Sequence, residues 1–332
     1  MDLRSLIKLN WGISPTKVKP INNGLINQTW LVSSSHSDYI LQQINTTVFQ
    51  NPLLLQKQLI SLTQNLSLPH LVPLEFVPKK NGKWILESVH GTFRMMKAIT
   101  PSIAFSVPNV QLAQLAAMAL MEFHEACQSQ IFSNWKAPID QFLDVDYRIQ
   151  SYLTAKNTAT SSRRFVAKIA IELLENEWSS LLSWQKLAEN SPQVLIHADP
   201  KLGNFLFHPN GKEVRALIDW DTIQLGTVFY DFGDMIRSFC SNSEDENDAQ
   251  SVFKSEIFEV LIQTFKVDPD KLYVASKGVI LIQALRFLTD FLEGDIYYKV
   301  EDEQHNLRRS INQLTLASEL KNYWITTRMQ GH

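Results

Sequence analysis

The stretch from residue 194 to 207 changes character twice. An apolar run enters a polar loop holding His197, Asp199, Lys201 and Asn204, and a second apolar run leaves it. A third apolar run, 214–218, follows the pair Asn210-Gly211 and ends in Asp219-Trp220-Asp221. Asn-Gly between two such runs predicts a β-hairpin, which sets Asp199, Asn204 and Asp219 at its mouth. The chemistry that uses this set is phosphoryl transfer. There the protein holds a divalent cation on nucleotide phosphates and orients a hydroxyl in line with the γ-phosphorus. Mg²⁺ takes oxygen ligands, typically one or two carboxylates with phosphates and water. Asp199 then accepts a hydrogen bond from the acceptor hydroxyl, Asn204 lends an amide oxygen to the metal, and Asp219 is the second protein ligand. The bland alternative is that these polar residues only tie down loops around a hairpin.

The spacing His-x-Asp-x-x-x-x-Asn is that of the catalytic loop of eukaryotic-type kinases. Eight histidines, each needing an Asp and an Asn at fixed offsets, give about 0.02 chance matches at ~one in twenty per residue type. With the strand before and the strand-Asp after, the segment resembles the aminoglycoside phosphotransferase and choline kinase superfamily. Within it the chain is most similar to the N-acetylhexosamine 1-kinases, through residues 23–30, 39–45, 286–290 and 294–298. The resemblance implies a two-lobed protein-kinase-like α+β fold, with ATP as co-substrate and Mg²⁺ as cofactor. It implies that Asp199 is the catalytic base and that Asn204 and Asp219 are the metal ligands. Lys201 then neutralises charge on the transferred phosphoryl group; read alone, it is also an ordinary exposed loop lysine. His197 buttresses the loop. The literal Asp-Phe-Gly at 231–233 is a decoy, 12 residues beyond Asp219, and Asp231 reads as structural, capping a helix or bonding the catalytic loop.

Two departures from the family pattern stand out. The phosphate-covering loop, 20–29, carries only Gly24 in place of a glycine-rich run. The strand 39–41 is followed by Gln42, where many kinases place Lys; Gln42 hydrogen-bonds a phosphate oxygen without bringing charge. The helix at 53–66 contains no Glu for an ion pair. The resemblance places adenine between the lobes against the link 95–98, with Met96 and Ala98 reading the base through backbone groups.

The elements needed to position these groups follow from periodicity. Short β-prone runs at 29–32, 39–41, 84–87 and 92–96 fill the first hundred residues, with the Asn81-Gly82 turn before the third. An amphipathic helix runs through Leu55, Leu59, Leu62 and Leu66. Beyond about residue 98, helical spacing marks 109–127, 165–187, 252–265, 272–292 and 307–323. A small β-rich N-lobe (1–98) followed by a larger helical C-lobe (99–332) is the expected organisation. The run at 243–248 is acidic and reads as a solvated loop.

The helix at 272–292 is apolar nearly all round and therefore buried. Arg286 inside it must be paired, either by Asp290 four residues on or by sugar or phosphate oxygens. The resemblance favours the second and adds Tyr297 and Trp324 as sugar-contacting aromatics; each also reads as core filling. The acceptor expected is a hexose or N-acetylhexosamine, phosphorylated at its anomeric hydroxyl. An aminoglycoside, choline or amino alcohol is the alternative, and would need a pocket of carboxylates or an aromatic cage. A nucleotide-binding regulator without catalysis is a third reading.

Composition excludes other classes. Thirty-one Lys+Arg against 34 Asp+Glu leave a net charge of −3, which does not suit a nucleic-acid binder. Two cysteines support neither a disulfide framework nor a four-thiolate zinc site. No signal-peptide core or uninterrupted apolar span is visible, so no membrane partner and a cytoplasmic location are expected. Nothing in the composition fixes an oligomeric state.

Overall fold

The structure, a computed structural model, describes residues 2–21, 26–128, 134–241 and 252–329. In chain order the elements are α1 (Leu3–Trp11), β1 (Lys17–Ile21), β2 (Gln28–Ser33), β3 (Asp38–Ile44), α2 (Pro52–Asn65), β4 (Leu86–Ser88), β5 (Gly91–Lys97), α3 (Val110–Gln128), α4 (Val145–Thr158), α5 (Ser161–Val166), α6 (Lys168–Glu175), α7 (Trp178–Glu189), β6 (Val194–Ile196), β7 (Phe205–Phe207), β8 (Val214–Leu217), β9 (Gln224–Gly226), α8 (Val228–Phe239), α9 (Ser255–Phe265), α10 (Pro269–Glu293) and α11 (His305–Met329). The protein is α+β, and its chain forms two compact units. One comprises Met1–Phe105, Glu122–Asp140 and Gly203–Gln224; the other comprises Ser106–Met121, Gln141–Leu202 and Leu225–His332. The boundary expected after residue 98 falls inside the first stretch of the first unit.

The first unit is built on an antiparallel sheet in the order β1-β2-β3-β5-β4. Side chains alternate across a strand, and the register divides them cleanly. Val32, Leu41, Phe93 and Met95 share one face, where Ile7 and Trp11 of α1 pack on them. Burying each such side chain contributes roughly 1.5–3 kcal/mol. Helix α1 starts at Asp2, whose carboxylate accepts from Arg4 N and Ser5 N, and stops at Gly12 with φ 76°. The opposite face carries a polar row, Thr29–Gln42–Arg94, and beside it an apolar row, Leu31–Ile40–Met96.

The Asn81-Gly82 turn exists but does not join two strands: Gly82 N donates to Lys79 O at 2.9 Å, closing a small loop. Strand β4 instead pairs with β5 around Ser88 and Gly91. Asn210-Gly211 does join β7 to β8. Gly211 takes φ 68°, and the ladder pairs Phe205 with Leu217.

The second unit is helical. Helix α10 packs against α11, α8, α4 and α7. It is long and apolar enough to cross a membrane by composition, with mean hydropathy 1.3, but 78% of that window is buried within the protein. It is a core helix. Gly278 lets Trp184 of α7 approach so closely that a Cβ would lie 2.3 Å from the Trp184 Cβ. The helix expected at 165–187 is three helices, α5, α6 and α7. No Pro or Gly marks the breaks; tertiary bonding decides them. At the second break Glu177 accepts from Lys277 Nζ at 2.6 Å and from Ser180 Oγ at 2.7 Å.

Candidate active site

In the first unit Asn204 and Asp219 flank one hairpin. Ile218 N donates to Asn204 O at 2.8 Å, which continues the β7–β8 ladder to its open end. Asp219 follows directly in a left-handed conformation, φ 65°. The turn is anchored by Trp220, almost fully buried, whose Nε1 donates to Leu217 O at 2.8 Å and whose ring meets Phe123 at 5.7 Å. Among the described residues no group of three or more His, Cys, Asp or Glu could hold a metal ion. An amide oxygen and a carboxylate at one hairpin mouth fit Mg²⁺, which completes its shell from phosphates and water.

Beside them lies a buried network that sequence reasoning missed. Arg94 on β5 pairs with Asp221 at 2.7 Å, with both side chains within 3% of full burial. Arg94 Nη2 also donates to Asp221 Oδ2 at 2.7 Å. Its Nε and Nη2 both donate to Gln42 Oε1, at 2.9 and 2.7 Å. Asn27 Nδ2 donates to Asp221 Oδ2 at 2.7 Å, and Asn27 Oδ1 accepts from Asn45 N at 2.9 Å. Two signals existed in the sequence: an Arg inside the apolar run of β5 and a second Asp in Asp219-Trp220-Asp221.

The residues expected to read adenine lie at the end of β5. Met96 is buried in β5 and bridges to Phe76. Ala98 N donates to Asp38 O at 3.0 Å and Lys97 N to Glu75 O at 2.8 Å. Those two N–H groups finish the sheet edge and are spent within the chain, so Ala98 has no N–H to offer a base. Gly24 lies outside the described residues, as does the acidic run at 243–248.

In the second unit the loop after β6 holds Asp199. Asp231 is fully buried on α8 and accepts from His197 N and Ala198 N, each at 2.7 Å. These two bonds hold Ala198 at φ 63°. Asp199 N donates to His197 Nδ1 at 3.3 Å, which assigns the imidazole proton of the neutral ring to Nε2. Lys201 is no idle loop lysine: its Nζ donates to Asp199 Oδ2 at 2.7 Å. Burial would push the Asp199 carboxyl up, but the charge and hydrogen bond of Lys201, with the charge of Arg237, outweigh it. The carboxyl is held below its ordinary value. Nearby, Arg237 pairs with Asp234 at 2.7 Å. Burial raises the Asp234 carboxyl, with the Asp199 charge adding to the effect and Arg237 opposing it.

Arg286 does not pair with Asp290. That carboxylate accepts from Ile296 N, Tyr297 N and Tyr298 N at 2.7–2.9 Å and from Asn306 Nδ2 at 2.8 Å, fixing the turn after α10. The guanidinium of Arg286 lies 4.8 Å over the Phe142 ring and 5.7 Å from that of Tyr298, and donates to Gln283 Oε1 at 3.0 Å. Arg148 approaches the same Phe142 ring at 6.0 Å. The rings of Tyr297 and Tyr298 meet edge to face at 4.8 Å. Trp324 does not join this cluster. It stacks on Tyr273 at 4.9 Å, and Tyr273 precedes Arg286 by thirteen residues on α10, roughly 20 Å of helix. Aromatic stacking at the far end of α10 gives Trp324 a packing role.

The profile of the APH family, described as a phosphotransferase enzyme family, matches residues 17–254. The chain belongs to that family. This phosphotransferase has the fold of solved relatives of low identity. One is the microcompartment-associated aminopropanol kinase, with a TM-score of 0.66 and 15% identity over 97% of each chain. Another is a spectinomycin phosphotransferase solved with ADP and spectinomycin, with a TM-score of 0.59 and 13% identity over 96% of this chain and 97% of that one. A third is an aminoglycoside phosphotransferase from Alicyclobacillus acidocaldarius, with a TM-score of 0.63 and 14% identity over 96% and 93%. As a small-molecule phosphotransferase, the enzyme acts on hydroxyl groups.

Proposed function

We propose that this enzyme transfers the γ-phosphoryl group of ATP to the anomeric hydroxyl of a hexose or N-acetylhexosamine. The observation that carries the acceptor class is the lining of the Phe142 cluster. Arg148 and Arg286 approach one aromatic ring, with Tyr298 and Tyr297 beside it. Neither arginine has a carboxylate partner among the described residues. Arginine and tyrosine donors suit the ring and hydroxyl oxygens of a neutral sugar. They repel a polycationic aminoglycoside or an ammonium alcohol, which need carboxylates or an aromatic cage.

Asp199, held ionised by Lys201, accepts the hydrogen bond of the acceptor hydroxyl and takes its proton as the new O–P bond forms. Lys201 turns from the carboxylate toward the transferred group and offsets its charge. Asn204 and Asp219 would hold the metal. Mg²⁺, when bound, neutralises phosphate charge. Asp231 and His197 keep the Asp199 loop in place.

The test is ADP release with ATP and a panel of neutral hexoses, N-acetylhexosamines, aminoglycosides, choline and amino alcohols, with NMR of the product. Turnover confined to sugars and a phosphorylated anomeric oxygen are expected. Turnover confined to cationic acceptors would overturn the acceptor class. ADP binding without turnover of any acceptor would favour a regulator.

A further inference from the structure

Position 42, within strand β3, lacks the lysine that many kinases use against nucleotide phosphates, and α2 lacks a partner Glu. The cation is nonetheless present on the same sheet face, one strand over. Thr29, Gln42 and Arg94 form a row across β2, β3 and β5. The adjoining row, one pleat along, contains Met96, which the family resemblance sets against the adenine.

The contacts within the row set the chemistry of Gln42. Two N–H groups of Arg94 converge on Gln42 Oε1. A guanidinium has donors only, so this oxygen is fixed as the acceptor and the amide cannot flip. Nε2 must therefore point the other way, with two N–H donors. One reaches toward Thr29 Oγ1 at 3.4 Å, a weak bond; the second has no partner among the described residues. Arg94 is in turn fixed by Asp221, two residues from the metal ligand Asp219, and Asp221 is held by Asn27.

We infer that Arg94, Gln42 and Asp221 together form the nucleotide-phosphate contact of this enzyme. Gln42 Nε2 donates to a phosphate oxygen, and Arg94 is a positioning residue that orients and polarises that amide. The buried Arg94–Asp221 pair takes the place of a lysine–glutamate pair. The inference rests on the kinase reading above and adds residues to it.

Three variants test it, with Kd for ADP and for adenosine measured by calorimetry and Tm recorded for each protein. Gln42→Glu keeps two oxygens for Arg94, so the fold is retained. It removes the donor and puts negative charge on the phosphate side. ADP affinity is expected to fall by about tenfold or more, since a hydrogen bond to a charged group is lost; adenosine affinity stays within twofold. Gln42→Met is expected to show a smaller loss confined to ADP. Arg94→Met with Asp221→Asn removes the ion pair without leaving a lone buried charge and keeps an acceptor for Asn27. It is expected to match Gln42→Met in its loss for ADP alone. ADP affinity within twofold of wild type in Gln42→Glu, or equal losses for ADP and adenosine in the double variant, would overturn the inference and leave the row a structural brace. Wild-type protein that binds neither ADP nor adenosine would overturn the kinase reading itself, and this inference with it.

Discussion

Replacing Asp231 with Asn tests whether the catalytic loop is held in place from α8. The carboxylate is fully buried, and its two oxygens each accept one backbone N–H at 2.7 Å, from His197 and Ala198. Asparagine offers one oxygen and one amide nitrogen in the same space. One bond survives in neutral form; the other becomes a donor facing a donor. Losing a charge-assisted bond and leaving a buried N–H unsatisfied costs about 3–5 kcal/mol together. Ala198 makes the loop more sensitive, because a non-glycine residue at φ 63° is disfavoured by roughly 1–2 kcal/mol and sits there only while Asp231 holds it. The loss is below the ~5–15 kcal/mol that keeps a typical protein folded, so the variant folds. Its Tm should fall by roughly 5–10 °C. Asp199 is the next residue along, and a displacement near ~1 Å lowers turnover about 100-fold. The assay is kcat for ADP release beside a thermal melt, with Asp231→Asn/Ala198→Gly as companion; glycine should recover part of the Tm. Wild-type kcat with a Tm change under ~2 °C would refute the reasoning.

Asp199→Ala should leave the fold intact by thermal melting and lower kcat by at least about 100-fold; turnover like wild type would remove Asp199 from the role of base. Gly278→Ala should destabilise the second unit by about 1–3 kcal/mol or more, because the new methyl lands 2.3 Å from Trp184 Cβ and 2.4 Å from its Cγ; an unchanged Tm would show that the helices separate freely. Burial would raise the Glu177 carboxyl, but hydrogen bonds from Lys277 and Ser180 and the charges of Lys277 and Lys321 carry it below its ordinary value. A depressed folded value means that Glu177 contributes stability above the ordinary carboxylate range, and that this contribution is lost as pH falls through the folded value. Melting curves from about pH 6 to pH 3 should therefore show the gap between wild type and Glu177→Gln closing toward acid; a constant gap would contradict the ion pair.

What sequence reading reached was local in the chain. The Asn210-Gly211 hairpin and the polar loop before it are close in sequence, and turn chemistry alone assembles them. Helix α1 was within reach too, since Asp2 and Gly12 are ordinary start and stop signals. The Arg94–Asp221 pair joins positions 127 apart, and no periodicity encodes such a partnership. The breaks between α5, α6 and α7 carry no breaker residue, so they arise from packing and from Glu177 reaching Lys277. The partners of Trp324 and Ala98 are hidden from the sequence for the same reason. Trp324 is captured by Tyr273, Ala98 by Asp38, and both partners become visible only once the elements are packed.

Asn204 and Asp219 sit at the open end of one short ladder, where the Ile218 N to Asn204 O bond ties their backbones together and buried Trp220 anchors the turn. Amino acids added at 209–212 lengthen only the outward end of the ribbon. The end that presents Asn204 and Asp219 lies away from such changes, and a tag or fluorophore attached at that tip is expected to leave both residues in place.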